Sequence, residues 1–323
     1  MIRNSSVRIV IPDDYPPVIS DTPALRTLQS CGDVSLHTSR PETQEELLAR
    51  MQGAHTVVNI RSYCKFTADV LHACRELRHV AVWGTGTDNV DLDAAKTLQI
   101  AVTNTPNTAT DAVAEQGLAL MLAVARKLAS IDAQVKRGEW VRGMLTQLCG
   151  KTLGIIGTGA IGLRMVQLAK GIGMQVIAWT FHPDPARAEA LGFRYVPAMD
   201  DVLRMADVVS LHLRYSPETE GIIRARELGL MQPSAIFINT ARGQLVDQQA
   251  LYEALRDGRI AGAGLDVFQK EPIDPHDPLL TLTNVVLSPH TAGTTPEALM
   301  HGLNVCAANV VAFLEGRTHN RVV

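Results

Sequence analysis

Short apolar runs alternate with amphipathic stretches along the first hundred residues. VRIVI (7–11), HTVVNI (55–60), HVAVW (79–83) and IAVTN (100–104) are rich in Val and Ile and read as buried strands. PETQEELLARM (41–51) and TADVLHACREL (67–77), between them, carry helical spacing. Strands alternating with helices predict parallel strands joined by right-handed crossovers. One long helix is predicted next, from Thr110 to about Gly138. It begins with acids and ends with Lys136, Arg137 and Gly138, as the helix dipole and C-terminal capping favour. Its middle is apolar almost all round, which predicts burial by the second domain or by another subunit. A second unit opens with KTLGIIGTGAIG (151–162) and continues through MQVIAWT (174–180), DVVSLHL (207–213), AIFINT (235–240), GAGLDV (262–267) and NVVLSPH (284–290). A last helix, from about Pro296 to Glu315, would return the chain to the first domain. The pattern predicts an α/β protein of two doubly wound parallel-sheet domains, residues 1–103 with 294–323 and residues 104–293.

Composition narrows the function classes. The 323 residues are 46% hydrophobic and 20% charged, as expected of a globular chain of two domains at roughly 100–200 residues each. Thirty Lys plus Arg against 33 Asp plus Glu leave a net charge of −3. With no basic excess to neutralise phosphates, a nucleic-acid partner is not expected. The longest purely apolar stretch, Leu118 to Ala125, is far below the ~20 residues a bilayer span needs, so no membrane partner is expected either. The N-terminus runs into acids after five apolar-patterned residues and reads as a strand rather than a signal peptide. Cysteines at 31, 64, 74, 149 and 306, odd in number and without CxxC pairs, predict reduced thiols in the cytoplasm. His72, Cys74 and His79 lack a fourth ligand nearby, so no metal site is expected.

Chemistry concentrates in the second unit. Gly157, Gly159 and Gly162 form G-x-G-x-x-G between an apolar strand and a helix, the context in which the motif binds a dinucleotide pyrophosphate on the helix N-terminus. NAD binding normally adds an acid at the end of the following strand. That strand ends at Thr180, followed by Phe181, His182 and Pro183, with Asp184 and Glu189 only later. A 2′-phosphate would therefore be tolerated, and His182 or Arg187 could meet it; as the alternative, Arg187 is a solvated helix charge. NAD and NADP both stay open. Arg242, Glu271 and His290 each lie near the carboxyl end of a predicted strand, where open α/β sheets bind ligands. Arginine can clamp a carboxylate through two parallel bonds, and a His held by a carboxylate can give and take a proton. Taken singly, each has a structural alternative as a surface, loop or capping residue.

With these motifs in order, the chain resembles the D-isomer-specific 2-hydroxyacid dehydrogenases, a family that includes phosphoglycerate, hydroxypyruvate and D-lactate dehydrogenases. The resemblance spans nearly the whole chain. It rests on IRSYCKFTADVL (60–71), WGTGTDNVDLDAA (83–95), the glycine motif, DVVSLHL, INTARGQLVD (238–247), AGLDVFQKEP (263–272) and LSPHTAG (287–293). It implies a flavodoxin-like substrate domain, a Rossmann dinucleotide-binding domain, and hydride exchange between a nicotinamide cofactor and a small 2-keto or D-2-hydroxy acid. Arg242 would bind the substrate carboxylate and keto oxygen, His290 would move the proton, and Glu271 would orient His290. Backbone at Gly84, Thr85 and Gly86 would hold the other side of the carboxylate, with Arg61 and Ser62 also at the substrate. Ala160 and Ile161 would line the pyrophosphate, and Asp266 would hold the nicotinamide carboxamide. Thr180, His212, Thr240, Ala241 and Gly293 would complete the cofactor site.

Several departures bear on the transfer. Thr180 replaces the usual acid. Arg214 and Tyr215 stand where the family usually has a proline and an apolar residue, so Arg214 either approaches the cofactor or is a private surface feature. Formate dehydrogenases of this superfamily carry glutamine where Glu271 sits, which argues against that activity. The chain ends at Val323, where some phosphoglycerate dehydrogenases continue into a regulatory domain. Arg61 aligns with a phosphate-binding position in those enzymes, or is a loop cation. Two alternative functions share the scaffold: a nicotinamide-sensing co-repressor, expected to carry long interaction tails, and a phosphite dehydrogenase, which no residue specifically favours. The apolar middle of the 110–138 segment predicts a homodimer, and closure of the domains over the substrate is expected.

Overall fold

The computed structural model describes residues 7–60 and 63–323. It divides into two compact units, Met1–Ala109 with Thr295–Val323, and Thr110–Thr294. Residues 104 and 105 stay with the first unit because their backbone is tied there: the Asn104 amide donates to the Asn320 carbonyl, and the Thr105 amide to the Gly84 carbonyl.

The first unit is built on β1 (Arg8–Ile11), β2 (Asp33–Leu36), β3 (Thr56–Asn59), β4 (His79–Val82) and β5 (Ala101–Thr103). All are parallel, in the order β2-β1-β3-β4-β5, the flavodoxin-like arrangement. Strands β3 and β4 are buried along their whole length, which is why they read as continuous apolar runs. The helix Pro296–Leu314 lies against β4 and the helix Pro23–Cys31. By length and composition alone it could cross a membrane. In the fold, its Leu303, Cys306, Ala307 and Val310 face join Ile9, Ile11 and Ala81 in one core. His79 opens β4 inside this unit, 2.9 Å from the Thr103 hydroxyl and stacked on Phe313. Burial lowers its pKa to about 3, so the ring is neutral.

The second unit comprises β6 (Thr152–Ile156), β7 (Gln175–Trp179), β8 (Arg194–Tyr195), β9 (Val208–Leu211), β10 (Ile236–Asn239), β11 (Gly262–Leu265) and β12 (Val285–Leu287). Their order, β12-β11-β10-β9-β6-β7-β8, is the Rossmann arrangement with one further edge strand. The chain reverses its direction of winding between β6 and β9, so the crevice for a ligand opens at the carboxyl ends of those two strands.

The structure corrects three readings of the pattern. The long helix predicted over 110–138 is two helices, Thr110–Ala125 and Leu128–Lys136. Lys127 takes a left-handed conformation between them (φ 48°), and the Ala125 carbonyl accepts from the Thr146 amide. The first helix buries Ala114, Gly117, Leu120, Met121 and Ala125 within its own unit, whereas the second buries nothing. Strands β2 and β8 went unpredicted. Both are edge strands and neither has a fully buried residue, so their side chains carry no core signal.

Candidate active site

The glycine loop is shaped by two close approaches. Gly157 follows β6 with φ +99°, and a Cβ there would lie 2.7 Å from the His212 carbonyl oxygen. A Cβ on Gly162 would lie 2.2 Å from the Gly157 carbonyl oxygen, so only glycine lets the helix Ala160–Gly171 settle onto the strand. Gly159, the N-cap of that helix, faces open space and supplies no side-chain cap. The first-turn amides, at Ala160 and Ile161 among others, are thus presented to a ligand rather than to a capping oxygen. The Thr158 hydroxyl is 3.0 Å from the Tyr195 hydroxyl, tying the loop to β8. His212 closes the other side, its ring 2.9 Å from the Ser210 hydroxyl; burial lowers its pKa to about 4 and keeps it neutral. Past the end of β10, the buried Thr240 hydroxyl has no hydrogen-bond partner among the described residues. An uncapped helix start, an open glycine face and an orphaned buried hydroxyl at the switch point together fit a dinucleotide.

Beside this cradle, three strand ends bring the reactive side chains together. Arg242 follows β10, and Asn239 sets its turn: the Asn239 side chain donates to the Arg242 carbonyl (2.9 Å) and accepts from the Ala241 amide (2.9 Å). The next residue, Gly243, touches the loop after β11 so closely that a Cβ would fall 1.9 Å from the Phe268 carbonyl carbon. That contact locks the Arg242 turn against the segment carrying Glu271. One Glu271 oxygen accepts from the Phe268 amide at 3.0 Å, and the other lies 2.7 Å from His290 Nδ1. Desolvation works to raise the Glu271 pKa. The hydrogen bond and charge of His290, the Phe268 amide and the charge of Arg242 outweigh it and hold the carboxyl below its usual value.

His290 itself sits at φ +54°, a left-handed conformation that costs a β-carbon residue of order 1 kcal/mol. A buried carboxylate holds it there. Asp266 is fully buried; one of its oxygens accepts from the Ser288 hydroxyl (2.5 Å) and the Thr291 amide (3.0 Å), the other from the Ala292 amide (2.9 Å). The His290 amide donates to the Asp266 carbonyl at 2.7 Å. Gln116 extends the chain of bonds through Ser288 Oγ at 3.0 Å. The imidazole is therefore gripped at Nδ1 by Glu271 and at its backbone by Asp266, while the ring stays accessible. Such a ring can hold or release a proton at Nε2.

Residues 118–292 match the family model described as D-isomer specific 2-hydroxyacid dehydrogenase, NAD binding domain. The chain belongs to this family. A glyoxylate reductase of Aeropyrum pernix is 40% identical over 93% of the chain and 92% of its own length. A D-3-phosphoglycerate dehydrogenase of Methanocaldococcus jannaschii is 39% identical over 98% of the chain, which spans 59% of that protein. Among solved structures, an NADPH-dependent glyoxylate/hydroxypyruvate reductase of Sinorhizobium meliloti superposes with a TM-score of 0.84 at 30% identity, covering 98% of each chain. As a D-2-hydroxyacid dehydrogenase, the protein is an NAD(P)-dependent oxidoreductase.

In this dehydrogenase, Arg242, Glu271 and His290, and the cofactor candidates Gly157, Gly159, Ala160, Ile161, Gly162, Thr180, His212, Thr240, Ala241, Asp266 and Gly293, all lie in the second unit. Gly84, Thr85 and Gly86 follow β4 in the first unit. There the Gly84 amide already donates to Thr105 Oγ1 (2.7 Å), so Thr85 and Gly86 carry the loop's remaining amides. Arg61 and Ser62 lie outside the described residues. Asn239, Ser288 and Gln116 escaped the sequence reading. Asn239 alone left a trace, as a polar residue ending an otherwise apolar strand; the other two act through partners distant in sequence.

Proposed function

We propose that this dehydrogenase reduces a small 2-keto acid to the D-2-hydroxy acid through Arg242, Glu271 and His290. The observation that carries the reading is the 2.7 Å contact of His290 Nδ1 with Glu271, in a turn anchored to the same sheet edge as Arg242. When bound, the nicotinamide cofactor supplies the hydride. The Arg242 guanidinium offers planar paired donors to the substrate carboxylate and the carbonyl oxygen. With Nδ1 committed to Glu271, His290 Nε2 is the atom left to deliver a proton to the oxygen that becomes the hydroxyl. Glu271 fixes the ring and stabilises its charged form before that transfer. Thr240 and the Ala160 and Ile161 amides hold the nucleotide. Asp266 sets the turn of His290, and its carboxylate can also accept from the nicotinamide carboxamide.

Similarity along nearly the full length of a glyoxylate reductase supports glyoxylate as the first candidate to test. A panel of glyoxylate, hydroxypyruvate, 3-phosphohydroxypyruvate, pyruvate, phenylpyruvate and oxaloacetate, each with NADH and NADPH, tests the reading. Oxidation of reduced cofactor with at least one acid is expected, with D-configured product from every accepted acid other than glyoxylate, whose product glycolate is achiral. No turnover with any of them would overturn it.

We also propose a homodimer built on the segment after Ala125. Leu128, Val135, Trp140, Val141 and Met144 are exposed there, Met144 by 93%, in a single stretch of chain. A patch of this kind is characteristic of an interface between identical chains. Sedimentation should give twice 35.0 kDa for the native protein and a monomer for Trp140→Asp with Met144→Asp. A native monomer would refute the dimer. Five unpaired thiols support a reducing, cytoplasmic setting, which recovery of a disulfide-bonded form from cells would contradict.

A further inference from the structure

The carboxyl ends of β7, β6 and β9 stand side by side. Ile156 pairs with Trp179 on one flank and with Leu211 on the other. The ladder continues one residue further: the Gly157 amide donates to the Trp179 carbonyl (2.8 Å) and the His212 amide to the Ile156 carbonyl (2.7 Å). Thr180, Gly157 and His212 are therefore level with one another on neighbouring strands, spaced by about 4.8 Å. A nucleotide whose phosphates rest on the start of the helix Ala160–Gly171 carries its adenosine ribose past the end of β7.

In an NAD site, a carboxylate at that end binds the ribose 2′-hydroxyl and repels a 2′-phosphate. Here the position is a half-buried threonine, followed by exposed Phe181, His182 and Pro183. The first acid beyond, Asp184, is committed elsewhere. One of its oxygens caps the helix Pro185–Leu191 through the Arg187 amide (3.1 Å), and the other lies 3.4 Å from Arg187 Nε. That pairing engages Asp184 and Arg187 with each other at the start of the helix.

Two cations remain. His182 is exposed immediately after the strand, and Arg214 is exposed two residues past His212. Neither forms a salt bridge among the described residues. The Arg214 backbone is held by Thr219, whose hydroxyl donates to its carbonyl at 2.7 Å, so the long side chain extends from a fixed turn. The acids of that turn, Glu218 and Glu220, flank the Thr219 anchor and are exposed to solvent.

We propose that Thr180, His182 and Arg214 form a site for the 2′-phosphate of NADP(H), with Arg214 its principal cation. The site rests on the reading that the glycine loop holds a nicotinamide nucleotide. A phosphate there gains the Thr180 hydroxyl and one or two charge-assisted bonds, worth about 10- to 100-fold in affinity.

Calorimetric titration of the purified protein with NADPH, NADH, 2′,5′-ADP and 5′-AMP tests this without turnover. NADPH should bind at least tenfold tighter than NADH, and 2′,5′-ADP tighter than 5′-AMP by a similar factor. Arg214→Ala should reduce the NADPH-to-NADH affinity ratio about tenfold or more, and Thr180→Asp should invert it. Equal affinities in the native protein would overturn the site. So would an Arg214→Ala variant that weakens NADPH and NADH alike, since the guanidinium would then contact a part common to both. Absence of binding by all four ligands would sink the nucleotide reading itself, and the site with it.

Discussion

Replacing His290 by Ala should lower turnover of the preferred keto acid by about 10²- to 10⁴-fold, the range that general acid–base catalysis contributes. KM should change little, because the carboxylate clamp at Arg242 stays in place. Glu271→Gln should lose less, since the amide can still accept from Nδ1 and hold the ring, while no longer offsetting its charge. The two variants separate further in their pH behaviour. The Glu271 carboxyl titrates below its ordinary value of 4.5, so the carboxylate is present above that value and disappears as pH falls through the lowered one. Native activity should therefore show an acid limb below pH 4.5 that Glu271→Gln lacks. Stopped-flow measurement of cofactor oxidation across pH gives both quantities. Native-like turnover in His290→Ala would eliminate the imidazole as the proton donor.

Arg242→Lys should cost about 10²- to 10³-fold in kcat/KM, through both a raised KM and a lowered kcat. Lysine keeps the charge but not the planar fork, and losing two charge-assisted bonds removes roughly 3–4 kcal/mol of binding in the transition state. The fold should survive. The turn at 239–242 is set by the Asn239 side chain and main-chain groups, and the Arg242 side chain's own bond in it is to the adjoining Ala241 carbonyl. Unchanged melting with collapsed kcat/KM is the expected pair of results. A kcat/KM within threefold of the native value would show that the carboxylate is bound elsewhere.

Much of the site was legible because its chemistry lies in residue types rare at strand ends. Glycines at 157, 159 and 162 announce a turn that backbone geometry cannot make otherwise, and Arg242, Glu271 and His290 are polar groups placed where apolar runs stop. What escaped was support. The supporting role of Asp266 has no periodic signature, yet from the adjoining end of the neighbouring strand β11 its buried carboxylate organises residues 288–292. Gln116 is 172 residues from the hydroxyl it binds, and no local pattern encodes such a distance. Gly243 looked like part of a motif and proved to be a contact surface.

Placement of most strands followed from their apolar runs, since burial leaves its pattern in the residues themselves, whereas helices such as Pro23–Cys31, Met199–Met205 and Gln248–Arg256 were not predicted. The edge strands β2 and β8 and the break at Lys127 escaped, because short, partly exposed strands and a single backbone turn leave little such trace. The roles of Arg187 and Arg214 show the same division. Each is one more cation along the polypeptide, and only folding, which seats Asp184 on Arg187 and leaves Arg214 exposed past the end of β9, separates a helix cap from a candidate ligand group.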